Sequence, residues 1–473
     1  MKETLEHELK LSVDSDFVLP PLAVDVEPRN LRATYHDTAD HRLARHGVTL
    51  RRRSEGSRDF WQLKLPKGGD RLEIAWDADE SAVPEEVKRL LTAYLRGSTL
   101  RPVAELHTLR RAVRVTGKGD VAAEVVHDSV QVLEGNRIVR EFDEVEIEQL
   151  RDGSGRLIAR LERQLRAAGA KRSDGRPKVF QALDLPAPRR TAVRRGAPAV
   201  EHLRAYLQTQ VDALVQCDPL TRRGEVEGVH GMRVATRRMR SALKEAPRQL
   251  EERWVEETRR ELKWLGSLLG DVRDPDVFAA YVTKEIALLG EGAAQGGSDL
   301  ISLIADSSQP ARARLGEALD SQRYLALLDR LEATRESLPV RPSRDSPRCM
   351  LRRAARRTRR MLRSVSRASS DARLHELRIA SKRARYAGEV AVPALGRRAH
   401  RLAKRAEALQ TILGEHQDAV VAEQRLQHLA GDAPPAAAFV AGRLAERQHA
   451  RREAARAALP AAAKRLAKAA ERF

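Results

Sequence analysis

The sequence predicts two domains of different class, a closed β-sheet domain with accompanying helices followed by an all-α domain built on a duplicated bundle. Three observations carry this. Short N-terminal segments alternate charged residues of both signs with apolar ones, the charge balance changes abruptly near residue 188, and one basic motif occurs twice in the second half.

The alternation begins at once. In Glu6-His7-Glu8-Leu9-Lys10 the charged side chains sit at every second position, so an extended strand aims them at one face while Leu5, Leu9 and Leu11 serve the other. Arg51 and Arg53, Arg71 and Glu73, and Glu144, Glu146 and Glu148 repeat the pattern. Further strand-like segments run from Phe60 to Leu65, Leu72 to Trp76, Val121 to Val126 and Asp143 to Gln149, with turns at Lys67-Gly68-Gly69-Asp70 and Gly117-Lys118-Gly119-Asp120. Several strands with one charged face each are reconciled by closing the sheet around a polar lumen and covering its apolar outside. Helices are expected over 85–95 and 155–168.

Charge places the boundary. Residues 1–188 hold 32 Lys+Arg and 32 Asp+Glu, so the whole formal charge of +20 falls on residues 189–473. A balanced half joined to a polycation points to a polyanionic partner for the second half, such as nucleic acid, polyphosphate or an anionic surface. The expected domains are 1–188 and 197–473, joined by a linker at 189–196 that follows the helix-stopping Pro186 and Pro188. Two cysteines, Cys217 and Cys349, exclude a disulfide framework and a thiolate metal site. No apolar run approaches the ~20 residues of a membrane span and the first ten residues are charged, so no membrane partner and a cytoplasmic location are expected.

Beyond the linker, Ala, Leu, Arg and Glu dominate in long helical runs. Val229-His230-Gly231-Met232-Arg233-Val234-Ala235-Thr236-Arg237-Arg238-Met239-Arg240 matches Leu374-His375-Glu376-Leu377-Arg378-Ile379-Ala380-Ser381-Lys382-Arg383-Ala384-Arg385, and a Leu-Gly-Asp segment ending near Asp274 matches a Leu-Gly-Glu segment ending at Asp418. Two repeats follow, about 197–338 and 348–473, separated by the break from Pro339 to Pro347; Gly290 to Gly297 is a further break. Within each motif the His and three bases fall at i, i+3, i+7 and i+10, one cationic stripe on a helix beside an apolar edge that includes Val234 and Ile379. Asp274 and Asp418 read as helix-end caps or as partners that orient the bases.

If the strands close, Glu6, Glu8, Glu144, Glu146, Glu148 and Asp128 share a lumen with Lys10, Arg51, Arg53, Lys64, Arg71 and Lys178. Two carboxylates about 4 Å apart repel by roughly 4 kcal/mol at an effective dielectric near 20, so such a cluster protonates, pairs with bases or holds a cation. Oxygen-only ligands favour a hard ion, Mg2+ or Mn2+. Guanidinium forks match phosphate oxygens, and a metal inside a basic sleeve is a triphosphate site. His36, His41 and His46, five residues apart, share no helix face and are expected in loops or at the surface.

Glu6-x-Glu8-x-Lys10, Tyr35-His36-Asp37-Thr38, Leu50-Arg51-Arg52-Arg53, Gln62-Leu63-Lys64, Arg71-Leu72-Glu73, Asp128 and Glu144-Val145-Glu146-Ile147-Glu148 together resemble the CYTH family of triphosphate tunnel metalloenzymes across residues 1–188. The resemblance implies an eight-stranded antiparallel tunnel. In it Glu6, Glu8, Asp128, Glu146 and Glu148 lie near the metal, and Lys10, Arg51, Arg53, Lys64, Arg71, Arg111 and Lys178 hold the triphosphate, the opening Glu6, Glu8 and Lys10 being the catalytic signature. Two departures stand out: His127 occupies a position where relatives often carry a second Asp, and Pro177 precedes Lys178 where Ser is usual. The implied reaction is metal-assisted hydrolysis of a triphosphate, most naturally inorganic triphosphate.

Residues 197–473 resemble a CHAD domain, a duplicated helical module. That resemblance implies two four-helix units around a basic channel for inorganic polyphosphate, lined by His230, Arg233, Arg237, Arg240, His375, Arg378, Lys382 and Arg385, and a protein that localises to polyphosphate granules. The run Arg352 to Arg360 reads equally as an extension of the basic surface or as a solvated face. Three rival readings remain distinct in kind. A granule protein binds in the tunnel without catalysis, an adenylyl cyclase uses the same metal and triphosphate handling, and a duplex-DNA protein uses the basic half. Aromatic residues are 4% of the chain, which speaks against stacked single strands, and no groove-reading motif occurs.

Overall fold

The computed structural model describes residues 2–22, 24–77, 82–117, 119–186, 193–245, 250–290, 293–306, 309–341, 345–363 and 365–473. They divide into two compact units, Met1–Arg190 and Thr191–Phe473. Half of the expected linker, 189–192, lies outside the described residues, as do parts of the breaks near 291 and 343 and Lys118 of one turn.

The first unit runs β1 (Lys2–Val13), β2 (Val24–Asp37), α1 (Arg42–Arg45), β3 (Thr49–Glu55), β4 (Arg58–Lys67), β5 (Asp70–Asp77), α2 (Glu85–Leu90), α3 (Thr92–Leu95), β6 (Arg101–Gly117), β7 (Asp120–Glu134), β8 (Arg137–Gln149), α4 (Gly155–Ala167), β9 (Lys171–Arg172) and α5 (Lys178–Ala182). Strands pair in the order β5-β4-β3-β2-β6-β7-β8-β1, and β1 pairs again with β5, which closes an eight-stranded antiparallel barrel. The two-residue β9 is an addition on β1, beside Leu11 and Ser12. The helix expected over 85–95 is broken at Leu91 into α2 and α3.

The barrel sorts side chains by parity. Leu11 of β1, Val125 of β7, and Val145 and Ile147 of β8 point outward and are buried against Leu161 and Leu165 of α4, each such side chain contributing about 1.5–3 kcal/mol by burial. Their neighbours in sequence, the charged residues, must therefore face the lumen. At one end the lumen turns apolar. There Val179 and Phe180 of α5 pack with Ala33, Leu106 and Val130, so α5 stoppers the barrel. Asp37, at the end of β2, accepts N–H bonds from Thr38, Leu43 and Ala44 at 2.7, 2.9 and 3.0 Å, fixing the turn into α1.

The second unit is helical: α6 (Ala199–Arg222), α7 (Val226–Glu245), α8 (Glu252–Ala287), α9 (Ala294–Asp306), α10 (Gln309–Asp320), α11 (Gln322–Glu332), α12 (Pro347–Leu362), α13 (Asp371–Leu395), α14 (Arg397–Asp432) and α15 (Pro435–Ala470). The duplication is legible in it. α6, α7 and α8 recur as α12, α13 and α14, with α8 and α14 both 36 residues long, while the single α15 of the second repeat is matched in the first by the shorter α9, α10 and α11. Phe278 and Val282 of α8, Leu300 of α9, Leu426 of α14 and Val440 of α15 form one apolar cluster that joins the repeats. Where the second repeat has Glu376, the first has Gly231, and a Cβ there would collide with Sγ of Cys217 on α6.

The buried edge of the stripe helices differs from expectation. Val229, Met232, Ala235 and Met239 face the core of the first repeat, and Leu374, Leu377, Ala380 and Ala384 that of the second; Ile379 is exposed. Ile379 lies about 100° round the helix from Arg378 and from the buried Ala380, outside the arc that Leu374, Leu377, Ala380 and Ala384 cover.

Candidate functional sites

A cavity of about 770 Å³ occupies the barrel lumen. Among the described residues lining it, ten are Lys or Arg and eight are Asp or Glu. The strand pairings bring them together: Glu8 opposite Glu148, Lys10 opposite Glu146, Glu6 opposite Arg71, Lys64 opposite Glu73, Tyr35 opposite Arg51 and Arg110 opposite Asp128. Because each comes from a neighbouring strand at the same height, the rings of charge are built by register rather than by flexible loops.

Near the stopper lies a knot of buried charge. Asp128, Glu144 and Glu146 each place a carboxylate oxygen within 4.8 Å of the others. Lys178, at the start of α5, reaches Asp128 at 3.0 Å, Glu146 at 2.9 Å and also Glu144, while Lys10 lies 2.5 Å from Glu146 and 3.5 Å from Glu144. Arg110 forks onto Asp128 at 2.8 and 2.7 Å and reaches Glu146 at 3.2 Å. Burial opposes the charge on Glu146, yet Lys10, Lys178 and Arg110 overcome it and hold that carboxyl well below the usual carboxylate range. Here three carboxylates meet two ammonium groups and one guanidinium, and burial still raises Glu144, so the cluster is a candidate acidic metal site whose oxygens are engaged in ion pairs.

The upper lumen is less settled. Lys64 is shared by Glu6 at 2.5 Å and Glu73 at 3.0 Å. Burial raises Glu6 to about 7 against the pull of Lys64, and the same ammonium holds Glu73 low despite burial. Burial also raises Glu148, whose nearest described cation is Arg110 at 3.8 Å. Glu8 has Arg71 at 3.4 Å and Lys10 at 3.8 Å. Glu6 and Glu148 are thus carboxylates that burial raises despite the neighbouring cations. Arg51 is held by the Tyr35 hydroxyl at 3.0 Å and by Gln62 at 2.5 Å, and Arg53 lies over the Phe60 ring at 5.7 Å. Burial followed by the charges of Arg51 and Arg110 lowers Arg53 to about 10, which marks a field that an anion would relieve.

In the helical unit the two stripes converge. Arg233 of α7 pairs with Asp274 of α8, and Arg385 of α13 bridges Glu389 and Glu407, each at 2.8 Å. Arg237, Arg378 and Lys382 have no carboxylate within 4.0 Å among the described residues, and the Nε atoms of Arg237 and Arg378 are buried without a hydrogen-bond partner. Burial, then the charges of Arg378, Arg237 and Arg233, lowers Lys382 to about 7. Arginines of both repeats therefore add to the effect of burial on this lysine. His230 and His375 sit at the exposed ends of their stripes. Burial and the neighbouring Arg273, Arg237 and Arg233 lower His230, and Arg240 is lowered by burial and by Arg259.

Comparison with known proteins gives the same division. Residues 4–171 match the CYTH domain family and residues 205–427 the CHAD domain family. Over 506 aligned positions the chain is 30% identical to uncharacterized proteins of Mycobacterium tuberculosis from strains CDC 1551 / Oshkosh and ATCC 25618 / H37Rv, with 98% of this chain and 97% of each relative covered. The chain is a CYTH-CHAD protein. Among solved structures it is similar to the CHAD domain from the plant Ricinus communis, with 28% identity, a TM-score of 0.47, and coverage of 58% of this chain and 95% of that one. PptA from Streptomyces chartreusis has 22% identity and a TM-score of 0.48, covering 57% and 100%.

Within the CYTH unit Glu6, Glu8, Lys10, Arg51, Arg53, Lys64, Arg71, Glu146, Glu148 and Lys178 line one cavity. Two expected members lie elsewhere. Arg111 is exposed on the outside of β6, and Arg110 takes the inward position, because Val113 and Val115 on the same strand fix the odd-numbered side as the covered one. That apolar phase was present in the sequence and identifies Arg110. Asp128 is fully buried beneath the cavity wall, clamped by Arg110 and Lys178. Glu73, Tyr35 and Gln62 hold Lys64 and Arg51 in place. His127 faces outward, bonded to Asp143 at 3.0 Å and edge-on to Phe17, away from the cavity. His36 and His46 pack against Trp61 and Tyr94.

Within the CHAD unit Asp274 and Asp418 lie in the middle of α8 and α14, so neither caps a helix end. Asp274 orients Arg233; Asp418 is drawn to Arg378. No helix among the described residues is long and apolar enough to cross a membrane.

Proposed function

We propose that the CYTH unit hydrolyses a triphosphate with a divalent cation, inorganic triphosphate being preferred, and that the CHAD unit binds inorganic polyphosphate. The observation that carries the first half is the convergence of under-compensated carboxylates and excess guanidinium groups in one closed lumen. The lining carries two more bases than acids, and a divalent cation would add two further charges. Inorganic triphosphate, with about one charge on its single inner phosphate and up to two at each end, carries about four to five negative charges near neutrality, close to that sum of four.

Lumen chemistry also favours a substrate without a base. Of the three aromatic residues on the wall, Tyr35 and Phe60 each have one face under a guanidinium, of Arg51 and Arg53, and Trp76 donates its ring N–H to Glu86 at 2.9 Å. Arg51, held by two bonds before substrate arrives, presents its remaining N–H groups to phosphoryl oxygens without reorganisation. Arg53, Lys64 and Arg71 take the adjacent oxygens, and Lys10 and Lys178 the phosphate nearest the stopper. Lys64 exchanges its pairing with Glu6 and Glu73 for the substrate, leaving Glu6, Glu8 and Glu148 to hold the cation. A bound divalent ion polarises the phosphoryl oxygens and neutralises charge in transit.

For the CHAD unit, the unpaired Arg237, Arg378 and Lys382 facing one another across two repeats support a polyanion site. Phosphate release should be measured from inorganic triphosphate, ATP, thiamine triphosphate and long-chain polyphosphate, with and without Mg2+ or Mn2+, for the wild type and E148Q. Metal-dependent release from triphosphate that E148Q abolishes is expected. Binding without turnover, or conversion of ATP to cyclic AMP and pyrophosphate, overturns the first half.

A further inference from the structure

The helix that precedes the stripe helix in each repeat supplies an internal control. In the first repeat this is α6, with two arginines against three acids over 24 residues. In the second it is α12, with seven arginines and no acid over 16. Both make the same kind of buried contact with the helix that follows, and Met350, Leu351, Ala354, Ala355, Thr358 and Leu362 give α12 an apolar face of ordinary character. The fold at this position is therefore satisfied by a nearly neutral helix, and the arginines of α12 are surplus to it.

They are also costly. Arg348, Arg352, Arg356, Arg359 and Arg363 recur at i, i+4, i+8, i+11 and i+15, a stripe about 22 Å long and within about 80° of arc. Like charges at this spacing repel, and cations near the N-terminus of α12 oppose its dipole. Arg353 is drawn off to Asp345 and the Nε of Arg352 donates to the Phe473 oxygen at 3.0 Å, but Arg348, Arg356, Arg359 and Arg363 have no carboxylate within 4.0 Å among the described residues. Four of the five are exposed, and Arg359 is half-buried. The exposed Lys464, Arg465 and Lys468 of α15, the helix that packs against α12, add to the cationic surface.

We infer that the outer face of α12 is a second polyanion site of the CHAD unit, a rail for a long linear polyphosphate chain that the facing stripes of α7 and α13 also bind. The identity of the polyanion rests on the reading of those stripes given above. A single file of guanidinium groups on a convex helix fits one linear chain. The helix carries no aromatic side chain on which bases would stack. Two sites on one polymer make affinity grow with chain length, because the second contact is intramolecular.

The test uses the full chain without divalent ions, binding polyphosphate of about 15 and about 300 phosphates, with duplex DNA as a competitor. The rail variant R348Q/R352Q/R356Q/R363Q is expected to lose at least tenfold in affinity for the long chain and under twofold for the short one. Its salt slope for the long chain should fall by roughly 0.7 per arginine removed. Its melting temperature should hold or rise, since repulsion is relieved. The stripe variant R237Q/R378Q/K382Q should weaken both lengths; if it weakens neither, the stripe reading fails while the rail is still judged by its own variant. Unchanged long-chain affinity in the rail variant, a lowered melting temperature, or a loss confined to duplex DNA overturns the inference.

Discussion

Lys382 should make polyphosphate binding depend on pH across neutrality. The groups facing it are Arg378 on its own helix, Arg237 and Arg233 from α7, and Asp418 from α14. Burial and the three guanidinium groups lower it to about 7, with Asp418 opposing them, so the free domain holds this ammonium only half-protonated there. A bound polyanion supplies the missing counter-charge and raises the pKa again. Binding then takes up a proton above pH 7, so affinity is full below that point and falls as pH rises through it. For one linked proton the loss between about pH 7 and about pH 8.5 is at most about 15-fold. Calorimetry at fixed ionic strength, in two buffers of different ionisation enthalpy, counts the proton directly. K382R, which keeps the charge at every accessible pH, should flatten the profile. The reasoning is refuted if wild type and K382R show the same slope. The sign for folding is opposite: the unfolded lysine binds its proton up to about 10.4, so the free domain should gain stability as pH climbs from 7 towards that value.

Two further outcomes follow from the ion pairs. R110Q leaves Asp128 and Glu146 short of a partner in the barrel interior and should cost about 3–5 kcal/mol, read from the denaturant midpoint, whereas R111Q on the outer face should stay within about 0.5 kcal/mol; equal effects would contradict the strand phase. D274N removes the internal carboxylate that competes for Arg233, a half-exposed pair, and should raise polyphosphate affinity by up to about fivefold with little change in stability; a weaker complex would make Asp274 a positioning residue for the bound state.

Much of the CYTH unit was legible because a barrel imposes strict parity on each strand. Glu6, Glu8 and Lys10 on β1 and Glu144, Glu146 and Glu148 on β8 announce their inward face directly, since Leu9, Leu11, Val145 and Ile147 between them are apolar. β6 is harder: Arg110 and Arg111 are adjacent, and only the more distant Val113 and Val115 reveal which one turns inward. Depth is not written in parity at all. Asp128 shares the inward phase with Glu124 yet sits below the wall because Lys178, some 50 residues later, enters from α5 and covers it. In the CHAD unit the duplicated stripe gave both the repeat and the facing bases, but helical periodicity alone misjudged Ile379. The convergence of Lys382 with Arg237 depends on how α7 and α13 pack, a property of two helices that neither sequence segment contains.

The helix α5 at the end of the barrel has a further consequence. With Val179 and Phe180 corking one end, and the far rim carrying the solvent-facing Arg58 and Asp77, traffic is restricted to a single doorway. Under the proposed hydrolysis a polymer could not be threaded through from side to side and would offer only a terminus, and each released orthophosphate would leave by the route its parent used to enter.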